Sequence, residues 1–135
     1  MVLLKQKYSM AFLIVCAAMF AAPGDATPAR AHHGGGVEYF MDQTLGPITG
    51  TVTLFSFSFP HPYIQFDVKG EDGTTQKWSA VMQLTPTRLR TRGWTRDSVK
   101  PGDTLTVTYS PHRTAPHIGF ARRIEVNGTF LDEGV

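Results

Sequence analysis

The chain has 135 residues, with 13 lysines and arginines against 11 aspartates and glutamates and one cysteine. A formal charge of +2 is poor material for phosphate neutralisation and argues against a nucleic-acid binder. A lone cysteine excludes an intrachain disulfide framework and a sulfur-rich zinc site, and the length allows one small domain.

Residues 1–31 read as a secretion signal. Lys5 and Lys7 supply a positive start, Met10–Ala22 is an unbroken apolar run, and Pro23-Gly24 breaks it before the A-x-A pattern Ala29-Arg30-Ala31. The run is shorter than the ~20 residues of a membrane-spanning helix, so cleavage is expected rather than a permanent anchor. The sole cysteine, Cys16, lies within this segment behind Val15, which lacks the small side chain a lipoprotein cut requires. Cleavage after Ala31 leaves 104 residues with ten basic and ten acidic side chains. An alternative cut after Ala26 begins the mature chain at Thr27. Either cut predicts a periplasmic or secreted bacterial protein.

Residues 32–46 are glycine-rich at first and are expected to form a flexible lead-in; residues 47–135 are expected to form the domain. From Ile48, "ITGTVTLFSFSF" alternates, with Val52, Leu54, Phe57 and Phe59 at strand spacing. Tyr63–Val68 predicts a second strand with Ile64, Phe66 and Val68 on one face. Gly70–Gly73 supplies a turn, and Thr75–Met82 the returning strand. Thr85-Pro86 is a helix start, a capping hydroxyl followed by proline, and Gly93 is placed to end that helix. Thr104–Ser110 and Phe120–Val126 predict strands four and five, and Asn127-Gly128 turns the chain back into "TFL". Three meandering strands, a short helix between strands three and four, and two further strands describe a mainly β protein with a small five-stranded OB-type barrel.

"GWTRDSVKPGD" (Gly93–Asp103), together with "AHH" from Ala31, "GTV" at Gly50–Val52 and the Pro60-His61 pair, resembles an uncharacterised bacterial family, domain of unknown function 6152. The resemblance runs from Ala31 to about Gly128. It implies a small, exported, mostly β protein and carries no established activity and no site residues. The chain departs from the family pattern at Phe59 before the Pro-His pair, at Pro62-Tyr63 after it, and in lacking an acidic residue after Trp78.

Three places could carry chemistry. Pro60 and Pro62 have no N–H to donate, so "FPHPYI" must be a stiff bend presenting His61, with Tyr63 just beyond it. "SPHRTAPHIGF" joins strands four and five, where an OB-type barrel builds one wall of its binding face; His112, Arg113 and His117 there suit an anionic or sugar-like ligand. His61, Tyr63, Arg113 and His117 are therefore the candidate ligand-binding residues. A mature start at His32 would place an amine beside an imidazole, a pair suited to copper(II), with His33, His61 and His117 as further ligands.

Arg88, Arg90, Arg92 and Arg96 cluster around the helix and read as its solvated side. No G-x-S-x-G elbow, phosphate-cradling glycine loop or paired carboxylates supports an enzyme. The expectation is a non-enzymatic domain that binds a small molecule, a metal ion or a periplasmic protein. The alternatives are a copper-binding protein or a module that adds a partner's strand at a barrel edge.

Overall fold

A computed structural model describes residues 35–131 of the chain. Its elements are a helical turn α1 (Gly35–Glu38), β1 (Leu45–Ser56), β2 (Tyr63–Lys69), β3 (Thr75–Val81), helix α2 (Pro86–Arg90), β4 (Thr104–Pro111), β5 (Ile118–Val126) and β6 (Thr129–Leu131).

β1 is long enough to serve two neighbours. Its first half pairs with β4, from Leu45 opposite Tyr109 to Thr51 opposite Thr104. Its second half pairs with β2, from Thr51 opposite Asp67 to Ser56 opposite Tyr63, with a bulge between Val52 and Leu54 that re-aims the strand. β2 and β3 form a regular antiparallel ladder, Tyr63 opposite Val81 through Lys69 opposite Thr75. β4 and β5 form another, and a parallel pairing of β3 with β5, Ser79 opposite Ile118, closes the ring. The expected OB-type barrel of five strands is thus present, with β6 added as a sixth strand on β5. Closure gives each barrel strand at least two partners, so addition of a foreign strand is left with β6 and the unpaired strand ends.

The core follows the alternation. Ile64 and Phe66 are buried while Gln65 between them is exposed, and Val52, Leu105, Val107, Ala121 and Ile124 complete the interior. α2 plugs one end of the barrel. The Thr85 hydroxyl accepts from Arg88 N, Pro86 opens the helix, and Leu89 is fully buried. Burying that leucine contributes about 1.5–3 kcal/mol. Trp94 and Val99, from the following connection, join the same cluster.

The strand spacing that predicts Phe59 in β1 runs too far. β1 ends at Ser56; Phe57 still reaches the core at 5 % exposure, but Phe59 is 68 % exposed. The prolines at 60 and 62 cannot donate to a ladder, so pairing stops before them.

Part of the lead-in packs on the barrel. Tyr39 is buried against His112 and Phe120, Phe40 N donates to Pro111 O at 2.9 Å, and Arg113 N donates to Glu38 O at 2.8 Å. Among the described residues, no helix is long and apolar enough to cross a membrane.

Candidate functional site

His61 stands exposed on its prolyl bend with Nδ1 3.1 Å from Met82 O. A carbonyl oxygen only accepts, so Nδ1 carries the hydrogen and donates, and in the neutral ring Nε2 keeps its lone pair. The ring meets Phe120, centroids 6.3 Å apart. Phe120 in turn touches Tyr39, which meets His112 at 5.1 Å. Burial first, and the neighbouring Glu38 charge second, push the Tyr39 hydroxyl above its ordinary pKa.

His112 is a turn-former. Its Nδ1 accepts from Ala115 N at 2.9 Å and from Thr114 N at 3.1 Å, so its proton resides on Nε2 when the ring is neutral. Neither nitrogen of neutral His112 then offers a free lone pair to a ligand. Arg113 faces the lead-in: its guanidinium donates to Gly36 O at 3.2 Å and lies 4.4 Å over the Phe40 ring. Tyr63 is half-buried at the start of β2, opposite Val81 and Ser56. His32 and His33 lie outside the described residues. Among the described residues, no three histidine, cysteine, aspartate or glutamate side chains gather as a metal site.

His117 is elsewhere. Parallel pairing of β3 with β5 brings it beside Trp78, ring centroids 4.9 Å apart, and its carbonyl accepts from Ser79 N. The two rings line a groove of about 350 Å³ over β2 and β3, shared with Gln65, Asp67, Lys77 and Ser79. This is the face, bounded by the β4–β5 loop, on which OB-type barrels bind ligands. The four candidates therefore do not converge: His117 lines this groove, and His61, Tyr63 and Arg113 do not.

Electrostatically the groove is divided. Asp67 and Lys77 stand directly opposite in the β2–β3 register, yet they form no ion pair among the described residues. Asp67 Oδ1 is buried without a hydrogen-bond partner. An unsatisfied buried acceptor costs about 1–3 kcal/mol, a cost that a donor in the groove would relieve once the carboxylate turns to expose that oxygen. Gln65, Asp67, Lys77, Ser79 and Trp78 did not stand out as sequence candidates. The signal that could have found them is their place on the two strands forming an OB-type binding face.

The groove thus displays a carboxylate, an ammonium, hydroxyl and amide groups, and two aromatic rings inclined at 41°. Neither the curated proteins nor the solved structures contain a match to this chain. The model of a family of unknown function, DUF6152, matches residues 21–121, and the chain belongs to that family.

Proposed function

We propose that this chain is an exported, non-enzymatic binding domain whose groove over β2 and β3 takes a neutral saccharide. The observation that carries the reading is Asp67, with an oxygen buried and unpartnered in a groove that also holds an unpaired Lys77. The opposite charges cancel, which disfavours a strongly charged ligand. Sugar hydroxyls both donate and accept, so they match Asp67 and Lys77 together, and the apolar face of a sugar ring matches the Trp78–His117 surface. Export rests on the charged start, apolar run and A-x-A pattern of residues 1–31.

The test is an NMR titration of exported, untagged protein with maltotriose, spermidine and inorganic phosphate in parallel. Saturable shifts at Gln65, Asp67, Ser79 and His117 with maltotriose, weakened at least fivefold in Asp67→Asn, are expected. Saturation by spermidine or phosphate alone, or by none of the three, would sink the saccharide reading.

A second reading, a periplasmic copper-binding protein, draws on His61. A ring that donates Nδ1–H to a backbone carbonyl and keeps Nε2 free is oriented as metal-ligating histidines are. His32 with its amine and His33 are the further nitrogens in this reading; His117, which lines the groove over β2 and β3 away from His61, is left out of it. Native mass spectrometry separates the two: one copper on a chain starting at His32, lost in His61→Ala, supports it. A start at Thr27, or a chain still metal-free after stoichiometric copper, eliminates it.

A further inference from the structure

A second depression, of about 440 Å³, opens where the end of β1 meets α2, and it shares no lining residue with the groove over β2 and β3. Phe57, nearly buried, and Phe55, half-buried and edge-on to it at 5.6 Å, form an aromatic floor. Leu54 and Phe59 stand at the rim, 41 % and 68 % exposed. Arg90 lies 5.3 Å over the Phe57 ring, and Arg96 lines the same depression. No carboxylate lines it, and among the described residues neither arginine has an ion-pair partner.

Each feature taken singly is unremarkable on a protein surface, where scattered apolar side chains and solvated arginines are common. Their combination is specific. Apolar and polar groups share the lining of this open depression, and a chain laid over its apolar part loses water at roughly 25 cal/mol per Å² of apolar area buried. The guanidinium groups beside it present planar forks of donors that match a carboxylate or phosphate in two-point fashion. Exposed Arg88 and Arg92 on and after α2 add positive potential around the depression.

We propose that this depression binds an anionic amphiphile, a single unbranched apolar chain over Phe55, Phe57 and Phe59 with its carboxylate or phosphate head held by Arg90 and Arg96. Charge complementarity sets the sign of the head. The source follows from Phe55 and Phe57, which are less exposed than Leu54 and Phe59 at the rim: a free chain can reach between the rim residues to them, whereas a flat leaflet meets the rim alone. The site stands independently of the saccharide groove.

Calorimetric titration of the untagged protein with dodecanoate, kept below its micelle concentration, tests the proposal. Saturable one-to-one binding is expected, with at least a tenfold loss in the doubly reversed variant Arg90→Glu/Arg96→Glu. Phe59→Ser, a change at an exposed position, is expected to weaken binding about fivefold and provides a second reading of the site should the charge reversal impair folding. Dodecyltrimethylammonium and inorganic phosphate are expected not to compete, the first lacking the anion and the second the chain. No binding of dodecanoate, or binding indifferent to both variants, overturns the proposal. Equal binding of the cationic amphiphile overturns it too. Co-sedimentation with phosphatidylglycerol vesicles without any dodecanoate binding assigns the arginines to a bilayer surface and likewise overturns it.

Discussion

The imidazole of His117 lies against the indole of Trp78, ring centroids 4.9 Å apart and planes inclined at 41°. His117 reaches that position from a left-handed backbone, φ +60°, which costs an L-residue about 1–2 kcal/mol. An aromatic pair returns about 0.5–1.5 kcal/mol, so the ring contact and the backbone strain are of similar size. His117→Ala removes the ring and keeps the strain; His117→Gly removes both. The glycine variant is therefore expected to be more stable than the alanine variant by about 1 kcal/mol, read from urea midpoints. Equal midpoints would show that the left-handed conformation at 117 is not imposed by the fold.

Gly119 is buried beside Tyr109, and a Cβ built on it would stand 2.7 Å from Tyr109 Cγ. Both residues belong to paired strands, so neither backbone can retreat without breaking the β4–β5 ladder. Gly119→Ala is expected to cost about 2 kcal/mol, within the range for overpacking a dense interior. Combining it with Tyr109→Ala, which removes the obstructing ring, is expected to give a smaller total loss than the two single losses added. Strict additivity in thermal unfolding would show that the ring is not the obstacle.

Asp103 ties the turn before β4 to the turn after β5. Its carboxylate accepts from Asn127 Nδ2 at 3.0 Å and from Lys100 N at 2.8 Å. Those bonds, the Asn127 one foremost, hold its carboxyl below the ordinary value of 3.8. Asp72 is lowered in the same direction by the Thr74 hydroxyl and N–H. A depressed carboxylate binds its proton more readily in the unfolded chain. Its stabilising effect is therefore complete above the ordinary value and disappears as pH falls through the folded one. Melting temperature is expected to hold between about pH 5 and 7 and to fall below about pH 4. Asp103→Asn should lower the neutral plateau slightly and flatten the acid limb; an unchanged limb would mean that these exposed bonds contribute nothing to the acid response.

What could be read along the chain was what neighbours in sequence decide. Ile64 and Phe66 alternate with Gln65 and are buried as that alternation requires, Thr85-Pro86 opens α2, and Asn127-Gly128 turns β5 into β6. The groove was not legible in the same way. Asp67 and Lys77 each look like an ordinary outward strand residue, and only the β2–β3 register sets them face to face. His117 meets Trp78 because β3 and β5 pair in parallel, a contact no local pattern announces. Arg113 reads as a ligand-facing loop residue until its partner is seen to be Gly36, 77 residues away.

Arg122 gives the most direct way to ask how the lead-in is held. Its Nε donates to Ser110 Oγ at 2.8 Å and its guanidinium donates to Met41 O, while Ser110, fully buried, donates onward to Gln43 O at 2.8 Å. Side chains of β4 and β5 thereby satisfy two backbone carbonyls of the segment that leads into β1. Arg122→Met keeps much of the apolar stem and removes the donors, at an expected cost of about 2 kcal/mol for bonds from a charged group. Arg113→Ala removes the bond to Gly36 and the contact with Phe40, both at the surface, at an expected cost below about 1 kcal/mol. Hydrogen exchange read by mass spectrometry should tell the two anchors apart. Arg113→Ala is expected to speed exchange upstream of Phe40 alone, and Arg122→Met to speed it from Met41 to Thr44, with the β2–β3 amides unaffected by either. Equal acceleration over both stretches in both variants would mean that the segment is released as one unit, with Arg113 and Arg122 acting as a single clasp.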